Sequence, residues 1–149
     1  MASAFLISVK PVFLERILAC TKHYELRRSN VRFNQGDLVI LYGSSPLKTV
    51  VGAFTVACVH RGTPIELWTS RGEGFGVSRQ EYNEYFGNSM GASAIEIRDR
   101  VRVPPVTLEV LRRLIPGFRP PQSYSQWLTD PSVLIGRKAV DTLGWKRNG

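Results

Sequence analysis

An α+β domain built on a small, strongly bent sheet or barrel is the fold class this sequence predicts, and three observations lead to it. Apolar residues alternate with period two at Phe5, Ile7 and Val9, and again at Ile95 and Ile97, which marks strands with one buried face. Stripes at helical spacing follow these runs: Phe13, Leu14, Ile17 and Leu18 after the first, and Leu108, Leu111, Leu114 and Ile115 after the last. The resulting order is strand, helix, several strands with an inserted helical excursion, strand, helix. It lacks the regular alternation of a parallel α/β sheet.

Each element has a local reason. Pro11 suits the first turn of a helix because its fixed φ is already helical, and the apolar stripe carries that helix to about Cys20-Thr21. From His23 to Arg27 the pattern alternates again, with Tyr24 and Leu26 on one face and His23, Glu25 and Arg27 on the other. Asn34-Gln35-Gly36-Asp37 signals a turn, and Leu38 to Tyr42 reads as a fully buried strand. Val50 to Val59 is a second long β-prone run, in which Gly52 marks a bulge or a close backbone approach. Pro64 to Trp68 predicts a helical turn at most, and Ser70 to Gly76 a glycine-rich loop. That loop lacks the spacing of a nucleotide-phosphate cradle. Ser78 with Glu81 forms a capping box that opens a helix with an aromatic face of Tyr82, Tyr85 and Phe86, a face more often core than a base-stacking platform. Thr107 caps the next helix, and Pro116-Gly117 stops it.

The expected organisation is one domain over residues 1–118, followed by a C-terminal extension over 119–149 that is partly helical and partly irregular. Pro120-Pro121 reads as a linker or extended arm, and Ser123 to Leu128 as one more helical turn. The basic end from Gly136-Arg137-Lys138 to Trp145-Lys146-Arg147 reads as a frayed terminus by default, with contact to a phosphate backbone as the alternative.

At 149 residues the chain is long enough for one sizeable core. Its hydrophobic fraction of 43% sets it apart from disordered and fibrous classes. A net charge of +8 favours polyanionic partners such as RNA or DNA, although a solvated basic surface accounts for the same number. No apolar run approaches the roughly 18 residues that span a membrane. Cys20 and Cys58 are isolated thiols without zinc-ligand spacing, so neither a metal nor a cofactor is expected, and a reducing, cytoplasmic location is.

The chemistry concentrates in Thr21 to Arg28, where Lys22, Glu25 and Arg27 crowd together behind the first helix. Three readings are open. The first is a surface ion pair of Glu25 with Arg27 or Arg28, which contributes little. In the second, Arg27 and Lys22 hold phosphate or carbonyl groups while Glu25 accepts from a base amino group. The third makes a partly desolvated Lys22 a general base beside Glu25, because burial lowers a lysine's pKa.

This stretch resembles the hallmark motif G-x-K-x-x-E-x-R of the ASCH family of PUA-like β-barrels, with Cys20 in place of the glycine. Flanking matches are Leu6 to Pro11, Leu41 to Pro46 and Gly52-Ala53-Phe54, and the similarity runs to about Val101. The resemblance implies a PUA-like barrel of about five to six strands flanked by helices, with a cleft beside the motif that binds RNA or a modified nucleoside. One enzymatic branch of the family deacetylates acetylated cytidine with a lysine, a threonine and a glutamate, and other members are similar to ribonucleases. Lys22 matches the lysine, Glu25 replaces the threonine, and Glu73 falls loosely where the glutamate does. The missing nucleophile argues against the amidohydrolase.

The leading expectation is therefore an RNA- or modified-nucleoside-binding module. The alternatives are a hydrolase, either ribonuclease or acylated-nucleobase amidohydrolase, with Lys22, Glu25 and Glu73 as catalytic groups, and a ligand-sensing domain with a protein partner. Lys10, Tyr42, Ser44, Ser45 and Lys48 are expected in or near the cleft with Lys22, Glu25 and Arg27. Tyr42 stands between base stacking and the core, and the serines between phosphate donors and a plain turn. His23 is either a proton shuttle or solvent-exposed, and His60 has no partner that the sequence identifies.

Overall fold

A computed structural model describes residues 2–147. Its centre is a six-stranded, curled half-barrel made of β1 (Ala4–Val9), β2 (Tyr24–Arg27), β3 (Leu38–Gly43), β4 (Thr49–Gly62), β5 (Ala92–Thr107) and β6 (Tyr124–Trp127), in the order β2-β5-β4-β3-β1-β6. Only β1 and β3 run parallel; the other neighbours are antiparallel. The helices are α1 (Pro11–Leu18), α2 (Pro64–Arg71), α3 (Arg79–Phe86), α4 (Leu108–Leu114), α5 (Ser132–Ile135) and α6 (Arg137–Leu143).

The long β4–β5 hairpin supplies the curl. Its register shifts three times, at Val50/Gly52, Thr55/Val56 and Val56/Cys58, and each irregularity bends the ribbon. The first shift lies at Gly52, where a Cβ would stand 2.6 Å from the Leu18 side chain and 2.8 Å from the Val101 carbonyl. Glycine is required there because α1 and the neighbouring strand approach the bare backbone.

Alternation along the strands sorts the core into layers. Phe5, Ile7, Val39 and Leu41 face α1, whose Leu14 and Ile17 are fully buried against them. Truncating either to alanine should cost about 2–5 kcal/mol. On the other face, Leu6, Ile40 and Tyr42 meet Trp127, Leu134, Val140, Leu143 and Trp145. A third cluster packs Phe75, Tyr82 and Phe86 under β2.

The C-terminal extension carries the helical content expected of it and also completes the core. Residues 124–127 form strand β6 rather than a helical turn, pairing with β1 through Ile7↔Tyr124 to Ala4↔Trp127. Trp145 is buried and donates its indole N–H to the Ser3 carbonyl at 3.2 Å, so the chain is anchored there instead of frayed. Two further expectations need correction. Pro64 opens an eight-residue helix, not a single turn, because Thr63 and Glu66 form a capping box. The strand that the alternation of Ile95 and Ile97 marks, expected over Ala94 to Arg98, runs from Ala92 to Thr107, since its far half pairs with the start of β4.

Candidate functional site

The curl brings the two edges of the sheet, β2 and β6, toward each other, and Arg27 spans the gap. Its Nη2 donates to Glu25 Oε2 (2.7 Å) and to the Ser8 carbonyl (3.0 Å) on β1, and its Nη1 to Ser123 Oγ (3.2 Å), one residue before β6. Arg27 Nε is buried and meets no acceptor among the described residues. At this seam lies a cleft of about 470 Å³, whose walls include Lys10, Lys22, Glu25, Arg27, Arg28, Ser44, Glu81 and Ser123, with Phe13 and Tyr85.

The period-two reading of β2 places Glu25 and Arg27 on one face, and their ion pair bears this out. Lys22 is 2% exposed, and its Nζ donates to the Phe75 carbonyl at 2.9 Å and stands 5.7 Å from the Phe13 ring centroid. Burial pulls its pKa down to about 8; the negative charge of Glu25 opposes the shift and the positive charge of Arg16 assists it. At pH 7 such an amine is mostly protonated, with about a tenth of it neutral, so both a cation and a base are within reach at this position.

Glycines keep Lys22 where it is. The loop after α2 crosses directly over it at Gly76, where φ is +64° and a Cβ would stand 2.6 Å from Lys22 Cα. Thus the glycine-rich stretch serves as a close-fitting lid over a lysine. At the motif's first position Cys20 has φ +61°, the left-handed conformation that glycine takes without strain. Substituting cysteine leaves the turn intact at some backbone cost.

A second ionic element supports the lid. Arg16, from the last turn of α1, pairs with both oxygens of Glu81 on α3 (2.9 and 3.0 Å) and also donates to the Gly76 carbonyl at 3.0 Å. Hydrogen bonding from Arg16, then from Ser78, holds the Glu81 carboxyl down at about 2. Sequence reasoning recognised Glu81 only as a helix cap. Arg16 and Ser123 were missed because their partners lie far along the chain.

Lys10 and Ser44 border the cleft as expected, while four other residues do not. Tyr42 belongs to the core on the opposite face of β3, since it shares the alternation of Leu38 and Ile40. Ser45 and Lys48 are exposed in the turn after β3, beyond the cleft lining. Glu73 lies in a separate groove with Trp68 and Arg79, on the far side of the lid. His23 is exposed beside Arg100, and His60 pairs with Glu96 at 2.9 Å through the β4–β5 hairpin.

Comparison with known proteins identifies this architecture. A family model of the ASCH domain matches residues 7–100. The chain belongs to the ASCH family. It is 30% identical over 122 residues to an ASCH domain-containing ribonuclease of Zymomonas mobilis, with 82% of each chain covered. The crystal structure of an ASCH protein from Zymomonas mobilis matches with a TM-score of 0.81 at 27% identity, covering 95% of both chains. An X-ray structure of a protein from Agrobacterium tumefaciens shares the fold alone, with a TM-score of 0.52 at 18% identity over 97% of this chain and 94% of that one. The ASCH family model ends before β6, yet the Zymomonas mobilis structure extends over most of the C-terminal segment that closes the cleft.

Proposed function

We propose that this ASCH domain binds RNA by seating one nucleotide in the seam cleft, with Lys22, Glu25 and Arg27 as its polar wall. The observation that carries the reading is the make-up of the cleft. It combines cations, carboxylates and the rings of Phe13 and Tyr85 in about 470 Å³, within the size range of small-ligand pockets. Arg27, at the cleft wall, supplies positive charge to phosphate or a base carbonyl, Glu25 accepts from a base amino group, and the rings provide apolar surface. The net charge of +8 and the relative named as an ASCH domain-containing ribonuclease support RNA over a neutral ligand. A fluorescent single-stranded RNA titrated at two salt concentrations tests this. Binding that weakens steeply with salt is expected. Absence of binding at low salt, or binding indifferent to salt, overturns the reading.

A second reading, RNA cleavage, is favoured by the relative's name together with Lys22 near its titration point. Neutral Lys22 would take the proton from a ribose 2′-hydroxyl as that oxygen bonds to the adjacent phosphorus. The phosphorus–5′-oxygen bond would break, and the released 5′-oxygen would take a proton from water. Arg27 would face the charge that builds on the phosphate oxygens. Incubating labelled RNA, and acetylated cytidine in parallel, with wild type and Lys22→Ala distinguishes binding from turnover. Cleavage lost in the variant supports catalysis, and cleavage unaffected by it removes Lys22 from the chemistry.

A further inference from the structure

The loop between β2 and β3 carries a pair of arginines, Arg28 at the rim of the cleft and Arg32 beyond it, that the polar wall of Lys22, Glu25 and Arg27 does not account for. Arg28 lies with its guanidinium carbon 5.0 Å from the Tyr85 ring centroid, and Arg32 lies 5.8 Å from that of Tyr124. Arg28 and Tyr85 both line the cleft, and Arg32 stands farther along the same loop against Tyr124, the residue after the cleft wall Ser123. Both are exposed, and neither takes part in any of the salt bridges among the described residues. By contrast Arg16, Arg27, Arg102, Arg113 and Arg137 each face a carboxylate.

The backbone of this loop is tied down from inside. Ser89 donates to the Arg28 carbonyl (3.2 Å), Ser93 to that of Ser29 (2.9 Å) and Arg61 to that of Val31 (2.9 Å), while the Arg32 N–H donates to the Tyr124 hydroxyl (3.2 Å). Val31 and Phe33 are buried between the exposed positions. The segment thus holds its carbonyls and apolar side chains inward and presents uncompensated guanidinium groups outward. Such a surface is prepared for anions before they arrive, which lowers the ordering cost of binding.

We infer that Arg28 and Arg32 form a phosphate rail beside the cleft, so that the ligand is a single-stranded RNA whose backbone continues past the seated nucleotide, not a free nucleoside. This rests on the RNA reading of the cleft and goes further, because a nucleoside has no phosphate for the rail. The tyrosine rings beside the arginines attract each guanidinium, while its exposed positive charge remains available to phosphate oxygens.

The test compares a nucleoside monophosphate with a five-nucleotide single-stranded RNA, using wild type, the R28A/R32A double variant and the charge-keeping R28K/R32K. Wild type should prefer the pentamer by about tenfold, and R28A/R32A should lose most of that preference. Its slope of log affinity against log salt should become shallower by about 1.4, from about 0.7 per lost phosphate contact on a single strand. The lysine variant should keep most of the slope, and equal thermal unfolding midpoints verify that all three proteins fold. If wild type binds both ligands equally, or R28A/R32A retains the full preference and slope, the rail is wrong while the cleft stands. If wild type binds neither, cleft and rail fall together.

Discussion

Glu25–Arg27 and Glu15–Arg102 are both carboxylate–guanidinium pairs that close at 2.7 Å, yet they do different work. The side chains of the first pair are 7% and 12% exposed, and those of the second 65% and 56%. Around Glu15 water solvates both partners and salt screens them, so the contact contributes little. In the seam each charge has been removed from water and depends on its remaining neighbours: Arg27 on Ser8 and Ser123, and Glu25 on the backbone N–H of Leu26 at 3.2 Å. Distance alone therefore says almost nothing about an ion pair. What surrounds it decides whether it is decoration or a site held ready for a ligand.

Breaking the buried pair should give the largest effect. Glu25→Ala leaves Arg27 and Lys22 without their nearby negative charge, and should destabilise the fold by about 3–5 kcal/mol in denaturant unfolding while abolishing RNA binding. Glu25→Gln, which keeps the shape, should recover part of the stability and little of the affinity.

Lys22 sharpens the contrast through pH. Its folded pKa, about 8, lies below the unfolded value near 10.5, so between these limits the unfolded chain binds more protons than the folded one. Stability contributed by this group therefore rises with pH across that window, by on the order of 3 kcal/mol in total, and the penalty is complete below about pH 8. Unfolding curves of wild type minus Lys22→Met across pH 7–10 should show that rise. A flat difference would mean that the amine is far better solvated than its 2% exposure implies.

Arg16–Glu81 is intermediate, with side chains 31% and 34% exposed. Arg16→Ala should release the Gly76 lid and weaken RNA binding several-fold at modest cost to stability. Because the folded pKa of Glu81 lies near 2, below its usual 4.5, its contribution is present above pH 4.5 and disappears as pH falls toward 2. Acid titration of Arg16→Ala should lack that component. The smallest effect belongs to the exposed pair: Arg102→Ala should change stability by less than about 1 kcal/mol and leave binding unchanged.

These elements were unequally legible in the sequence. Period two along β2 was enough to place Glu25 beside Arg27, and the bend at Gly52 announced itself because a glycine interrupts an otherwise apolar run. Tyr42 shows the limit of that reasoning: alternation assigns a residue to a face but does not say which face borders the cleft. Strand β6 was hidden because Ser125 and Gln126 are exposed on a four-residue edge strand, too short to display a pattern. Arg16, Glu81 and Ser123 meet the motif only through tertiary closure. Locally Glu81 reads as a cap, Ser123 as the start of a helical turn and Arg16 as one position in the first helix, and none of these points to the cleft.

The central claim is that RNA enters the seam between β2 and β6, and an amide NMR titration with a short single-stranded RNA tests it directly. Shifts should cluster at Val9, Leu26, Ser44, Tyr85 and Ser123 and continue along residues 28–32, leaving Glu15 and Arg102 unmoved. Shifts confined to the outer face of β5 around Arg98 and Arg102, with the seam silent, would contradict it.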